Sequence, residues 1–222
     1  MLVTNDFILV HVPKTGGTFL NDIIAKHCDV LYRKLHVTLA DAPPEYRDLP
    51  ALAFIRNPWD WYVSFYHFMR QKEPKGESEY EQFRIKEVDF PTYMRLAFDL
   101  PHGLDYYSAR VRAMTRGCEK GKFETLRKDF VAFLDRHQIA APSLRADVLG
   151  APRSNVGPRG PFRDYYDPET AELVGTSWVA KRFGYVFAEA GESRASPTRG
   201  ALPGLPAHLR TPAPGALARP PA

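Results

Sequence analysis

One short stretch near the start of the chain, an apolar strand that runs into a glycine-rich turn, most constrains what this sequence can form. Residues 7–12 are almost entirely apolar, and the run 13–18 reads Pro-Lys-Thr-Gly-Gly-Thr. Glycines let backbone N–H groups approach a phosphate closely, a helix start adds unpaired amides and partial positive charge, and a lysine adds a full charge. The stretch therefore predicts a strand, an anion-binding loop and a helix over residues 18–27.

The position of the lysine separates this loop from the common ATP or GTP loop. In the Walker pattern the lysine follows the last glycine and precedes Ser or Thr. Here Lys14 precedes both Gly16 and Gly17. This order weakens a kinase interpretation. Taken alone, the motif is also compatible with a tight strand-to-helix turn that carries a solvated lysine.

A second strand-to-helix unit follows in the middle of the chain. Residues 51–55 are apolar, Arg56 leaves the strand end, and Asn57-Pro58 suits a turn and a first helical turn. Arg56 and Ser64 can then converge on one phosphate, with a guanidinium fork on one side and a hydroxyl donor on the other. The alternative is that Arg56 pairs with Asp60. Two such units predict a ligand with two separated phosphate-type groups.

The alternation of strands and helices indicates the fold class. Apolar strands at 7–12 and 51–55 are followed by helical patterns at 18–27 and 59–71. The pattern predicts an α/β protein with a P-loop-like three-layer fold, in which a central parallel sheet is flanked by helices and ligands bind at the carboxyl ends of the strands. Further segments are predicted as a short strand at 30–32, a helix or turn at 39–47, and helices at 90–100, 123–136 and 168–182.

At this point the chain resembles the sulfotransferase family that uses 3′-phosphoadenosine 5′-phosphosulfate (PAPS). Residues 13–18 are similar to that family's 5′-phosphosulfate loop, and Arg56-Asn57-Pro58 with the run 63–66 is similar to its 3′-phosphate motif. The likeness continues to residue 187 through segments similar to the closing elements of the carbohydrate and bacterial branch.

The resemblance implies roles for particular residues. Lys14 contacts the bridging oxygen of the donor and acts in catalysis, and Arg56 and Ser64 hold the 3′-phosphate. The segment around Asn155 corresponds to a loop near the nucleotide. The residues implied to bind the co-substrate are Lys14, Thr15, Gly16, Gly17, Thr18, Arg56, Ser64, Arg153 and Asn155.

Sulfuryl transfer also needs a base for the acceptor proton. His36, in Leu-His-Val-Thr before the second long strand, is the candidate, because imidazole titrates near neutral pH. In the carbohydrate branch a histidine just upstream of the 3′-phosphate strand is the proposed base. His11 is the competing candidate and is interpreted as support for the loop, and His67 is interpreted as a packing or solvent-facing residue. A structural role for His36 remains the alternative.

The predicted function is sulfuryl transfer from PAPS, without a metal, to an acceptor hydroxyl, preferably of a carbohydrate or glycoside. Two alternatives stay open: a P-loop kinase or nucleotide hydrolase, and a non-catalytic nucleotide-binding module of the same fold. The polar, glycine-bearing segment 116–122 stands where relatives have an apolar strand, which puts the completeness of the sheet in doubt and keeps the module alternative open.

Composition and charge limit the metal, disulfide and nucleic-acid chemistry of the chain and indicate its domain organisation. The chain has 222 residues, a formal net charge of +4 and two cysteines, Cys28 and Cys118. Neither a metal-ligand spacing nor a disulfide framework is visible, and the mild charge gives no case for nucleic acid. Residues 1–188 are predicted to form the sulfotransferase-like domain, and the Pro/Ala/Gly-rich residues 189–222 a disordered tail.

The sequence shows no basic leader and no apolar run of about 20 residues. This predicts a cytoplasmic protein without a membrane span, and the lack of an anchor makes a bacterial relative the favoured interpretation. The acceptor and the oligomeric state stay open.

Overall fold

A five-stranded sheet forms the middle layer of the fold in the computed structural model. The structure describes residues 1–71, 83–100, 103–152 and 159–187. Across the sheet the strands follow the order β3-β1-β2-β4-β5. The strands are Leu2–Val3 (β1), Ile8–Val10 (β2), Tyr32–Arg33 (β3), Ala51–Ile55 (β4) and Glu119–Lys122 (β5).

Helices cover the sheet on two sides. Those described are Gly17–His27 (α1), Pro58–Arg70 (α2), Phe90–Phe98 (α3), Tyr106–Met114 (α4), Leu126–Arg136 (α5), Pro142–Gly150 (α6), Pro168–Gly175 (α7) and Trp178–Phe183 (α8). Short 3₁₀ turns lie at Leu39–Asp41, Pro44–Tyr46, Phe123–Thr125 and Phe162–Tyr165. The predicted α/β class with three layers is therefore confirmed.

The sheet is mixed, which corrects the prediction of a wholly parallel one. Strands β2, β4 and β5 are parallel, but β1 is antiparallel to both β2 and β3. Only four residues join β1 to β2, and a link this short permits only an antiparallel pair. The Thr4 hydroxyl closes the turn, because it donates to the Phe7 carbonyl at 3.0 Å.

Successive side chains along the strands lie on opposite faces of the sheet and pack into two separate hydrophobic cores. On one face Ile8 and Val10 pack with helices α2, α3, α4, α7 and α8. On the other face Leu9 and Phe54 pack with α1, α5 and α6. A strand that is buried on both faces reads as a continuous apolar run, which is why β2 and β4 are recognisable in the sequence.

The polar segment 116–122 is not a defect of the sheet. It contains β5, which pairs in parallel with β4 at the edge. A Cβ added at Gly121 would lie 2.5 Å from Cε1 of Phe54, so a glycine is needed where the Phe54 ring lies against the strand. The doubt that the sequence raised about the completeness of the sheet is therefore resolved.

Other expectations are met in part. The predicted helix 168–182 is two helices, because Ser177 caps a new start and accepts from the backbone of Ala180. The first of them starts at Pro168, and the Asp167 side chain caps it by accepting from the backbone N–H of Thr170. Helices α4 and α6 were not predicted.

The predicted tail 189–222 lies outside the described residues. Residues Met1–Phe187 form one compact unit. Within the described ranges, no helix combines the length and apolarity needed to span a bilayer.

Candidate functional site

Three chain segments with candidate residues leave the sheet at the same edge. Strands β2, β4 and β5 are parallel, so their carboxyl ends lie side by side. Strand β3 is antiparallel to β1, which is antiparallel to β2. Because two reversals restore the direction, β3 also ends at this edge. The loop with Lys14, the turn with Arg56 and the turn with His36 therefore share one side of the molecule.

The loop after β2 is held by its carbonyl oxygens. The Val12 carbonyl accepts from the Thr15 hydroxyl, the Pro13 carbonyl from the indole N–H of Trp61, and the Lys14 carbonyl from Nη1 of Arg56, each at 2.8 Å. Two of these donors belong to the second strand-to-helix unit. The two units that the sequence singled out are thus directly bonded to each other.

The start of α1 faces this loop. The first N–H groups of a helix have no partner inside the helix, and Gly16 at the N-cap offers no side chain to them. Lys14 and Gly16 have positive φ angles of 63° and 83°, which turn the chain sharply into the helix. Thr18 is exposed at this start, whereas Thr15 is buried. Such a terminus favours an anion.

Both glycines are also required by packing. A Cβ at Gly16 would lie 2.4 Å from Cδ1 of Leu126, and one at Gly17 would lie 2.2 Å from Cδ2 of His11. The side chains of α5 and of His11 therefore press directly on the loop backbone. Because neither glycine has a Cβ, the loop backbone fits between the side chains of Leu126 and His11.

Arg56 is a buried residue just before α2, and its side chain bonds both to this helix and to the Lys14 loop. It is 7% exposed and donates from Nε and Nη2 to Oδ2 of Asp60, at 2.8 and 2.6 Å. The pairing of Arg56 with Asp60 that the sequence left open therefore exists, together with the bond to the Lys14 carbonyl. Burial lowers the pKa of Arg56, and the neighbouring Asp60 opposes this shift.

Arg159 is a further cation of the site that the sequence analysis missed. Its Nη2 donates to the second carboxylate oxygen of Asp60, and its side chain is 18% exposed. Asp60 thus lies between the guanidinium groups of Arg56 and Arg159. The two paired residues are 99 positions apart in the chain, so no local pattern points to the contact.

A partly buried face of α2 borders the cationic region. Asp60, Ser64 and Phe68 follow one another at four-residue steps, so they share one face of the helix. The Lys14 ammonium lies 4.2 Å from the centroid of the Phe68 ring. Ser64, one turn before Phe68 on this helix face, is half-buried. Arg56 bonds to Asp60 and the Lys14 ammonium contacts Phe68, so Lys14, Arg56 and the helix face that carries Ser64 lie in one region.

His36 and His11 lie beside the loop. Their ring centroids are 6.0 Å apart, and His36 is exposed on the turn that follows β3. Nδ1 of His11 is buried, with no hydrogen-bond partner among the described residues. Burial, and next the positive groups around it, including His36 and Lys14, lower the pKa of His11 to about 4. His36 is thus the histidine of the pair that faces solvent.

Carboxylates brace the neighbouring turns. Oε1 of Glu124 accepts from the backbone N–H of Asn57 at 2.7 Å, and Oε2 accepts from the Tyr185 hydroxyl at 3.0 Å. Asp129 accepts from the backbone of Lys122 at 2.7 Å. Glu124 and Asp129 therefore brace the turns that follow β4 and β5.

Two predicted site residues, Arg153 and Asn155, lie outside the described residues. The roles of the remaining ones toward a co-substrate stay predictions. His67, interpreted from sequence as a packing or solvent-facing residue, lies edge-on to Tyr165 with ring centroids 5.1 Å apart, and its Nε2 is buried.

Comparisons with known proteins give a distant likeness to solved structures. No family model and no curated protein matches the chain. Among solved structures, the chain is similar to the crystal structure of mouse sulfotransferase SULT7A1 complexed with PAP. The two share 15% sequence identity with a TM-score of 0.46, over 76% of this chain and 81% of that one. A likeness at this distance does not assign the chain to a family.

Proposed function

We propose that this chain transfers a sulfuryl group from PAPS to an acceptor hydroxyl, of a carbohydrate or glycoside. The observation that carries the proposal is the hydrogen bond from Arg56 to the Lys14 carbonyl, at 2.8 Å. It joins the two anion-binding units at one sheet edge, where one nucleotide with phosphate groups at both ends can reach them. The sequence resemblance described above supplies the identity of that nucleotide.

The charges of the described residues fit such a ligand. Lys14, Arg56 and Arg159 are cations, and Asp60 is the anion that pairs with two of them. The local formal charge is therefore positive even before the partial charge at the start of α1 is added. Ser64 adds a hydroxyl donor on the same helix face as Asp60.

The reaction needs positioning and charge stabilisation more than covalent help from the protein. The donor, when bound, supplies the sulfuryl group. The acceptor oxygen forms a bond to sulfur while the bond from sulfur to the phosphate oxygen breaks. In this proposal Lys14 stabilises the charge that develops on the phosphate, and His36 takes the acceptor proton.

Nucleotide binding is the first test. Calorimetry with adenosine 3′,5′-bisphosphate should give micromolar affinity, and Lys14→Ala should weaken binding by about 1–3 kcal/mol, because one charge-assisted contact is lost. Lys26→Ala, at the far end of α1, is the matched control and should leave the affinity unchanged. Equal affinity in the wild type and the Lys14 variant would contradict the assignment of the loop.

Sulfate transfer is the second test. Labelled PAPS offered with a panel of sugars and phenols should give a sulfated sugar, and His36→Ala should lower turnover by about 10²–10⁴-fold, because the proton acceptor is lost. The nucleotide affinity of this variant should stay near that of the wild type. Binding without transfer to any acceptor would favour the non-catalytic module, and magnesium-dependent ATP turnover would favour the kinase alternative.

A further inference from the structure

Trp61 occupies a rigid position under the loop that follows β2. Its side chain is fully buried and stacks on Tyr107, with ring centroids 4.2 Å apart and an interplanar angle of 14°. It also stacks on Phe65, at 4.8 Å and 12°. Full burial and two stacked aromatic neighbours leave the indole little freedom to rotate.

The polar atom of this indole reaches the loop. Nε1 donates to the Pro13 carbonyl at 2.8 Å in a buried contact. The C=O and N–H groups of a trans peptide point in opposite directions. With the Pro13 carbonyl directed at Trp61, the N–H of Lys14 is directed away from α2. The bond from Arg56 to the Lys14 carbonyl orients the N–H of Thr15 in the same manner.

The backbone of the loop needs such support. Lys14 adopts a φ angle of 63°, a conformation that residues other than glycine adopt at some cost in energy. A strained peptide keeps its orientation only when surrounding contacts hold it. Trp61 supplies the contact on the peptide just before Lys14, and it does so from the second strand-to-helix unit.

We propose that Trp61 is a positioning residue that fixes the Pro13–Lys14 peptide, and through it the direction of the Lys14 amide in the anion site. The proposal rests on the proposed function only for the identity of the anion. Because the donor belongs to α2 and the acceptor to the loop after β2, the indole couples the two phosphate-binding units mechanically.

The chain contains a matched control for this role. Nε1 of Trp59 donates to the Ala171 carbonyl at 2.9 Å, and Trp59 is 2% exposed. Trp59→Phe and Trp61→Phe therefore each remove one indole N–H from a backbone carbonyl and leave an aromatic ring. A purely structural role predicts the same consequences for both variants.

The test compares amide hydrogen exchange of residues 14–18 and the affinity for adenosine 3′,5′-bisphosphate in both variants. Trp61→Phe should accelerate exchange in the loop and weaken the nucleotide about tenfold, because a buried carbonyl loses its donor. Trp59→Phe should change neither. Equal loop exchange in the two variants would overturn the proposal.

A second variant at position 61 tests the same hydrogen bond if Trp61→Phe does not fold. Benzothienylalanine at position 61 keeps the shape of the indole and replaces its N–H by sulfur, and the same changes in exchange and affinity are expected. If the wild type does not bind the bisphosphate but loop exchange still responds to the loss of the N–H, the proposed function fails and the positioning role stands.

Discussion

Asp60→Ala should lower the free energy of unfolding by about 3–5 kcal/mol, because it leaves buried positive charge without its counter-ion. Arg56 is 7% exposed, and both it and Arg159 bond to the Asp60 carboxylate. Removal of one member of a buried ion pair is costly since the remaining charges keep their desolvation penalty. Urea denaturation of the wild type and the variant measures the difference.

An exposed ion pair provides the control. Arg95 and Glu169 lie 2.8 Å apart, with side chains 50% and 74% exposed. Glu169→Ala should change the free energy of unfolding by less than about 1 kcal/mol. If both variants lost the same stability, Asp60 would not be the buried counter-ion of Arg56 and Arg159 that its contacts indicate.

Added sulfate should show whether the Asp60 variant is destabilised by the loss of the negative charge or by the loss of packing. A sulfate ion can take the place of the carboxylate between Arg56 and Arg159, so sulfate should restore more stability to Asp60→Ala than to Glu169→Ala. The Glu169 variant corrects for the general stabilisation that sulfate gives to any folded protein. Equal responses would mean that the two arginines do not form an anion site.

Acid should destabilise the protein through His11. The pKa of His11 falls from 6.5 to about 4 on folding, chiefly because the ring is buried. Between pH 6.5 and 4 the unfolded chain therefore binds more protons than the folded one. The free energy of unfolding should fall as the pH drops through this window, by about 3 kcal/mol in all, and above pH 6.5 this contribution should not change.

His11→Phe isolates this effect, because phenylalanine keeps a ring beneath Gly17 and cannot bind a proton. Denaturation curves at intervals between pH 7 and pH 4 should show a steeper loss for the wild type than for the variant. Parallel losses in the two proteins would assign the acid sensitivity to other groups. The positive groups that act on His11 in the folded state are the Met1 ammonium, Arg33, Lys14 and His36.

Local signals are the reason that much of the framework can be predicted from the sequence. The apolar run before Pro13 and the glycines after Lys14 identify β2, the loop and α1. Asn57 and Pro58 mark the start of α2, where the Asn57 side chain does accept from the backbone of Asp60 at 3.3 Å. Each of these signals lies within a few residues of the feature that it predicts.

Contacts between distant parts of the chain could not be predicted in this way. Trp61 lies 48 residues from Pro13, and within α2 it reads only as a core aromatic residue. Strand β5 reads as a polar turn, since its sequence is Glu-Lys-Gly-Lys. It forms a strand because β4 offers it a pairing edge and Gly121 accommodates the Phe54 ring, and neither reason is visible in the segment itself.

Because β1 is antiparallel to both of its neighbours, β3 ends on the same side of the molecule as β2 and β4. The turn with His36 flanks the Lys14 loop on the β3 side, and Arg56 flanks it on the β4 side. A nucleotide anchored at Arg56 would thus enter from one flank and the molecule to be modified from the other. Residues 34–38 would then govern acceptor selectivity, and their exchange for another turn would alter which hydroxyl reacts while donor affinity is retained.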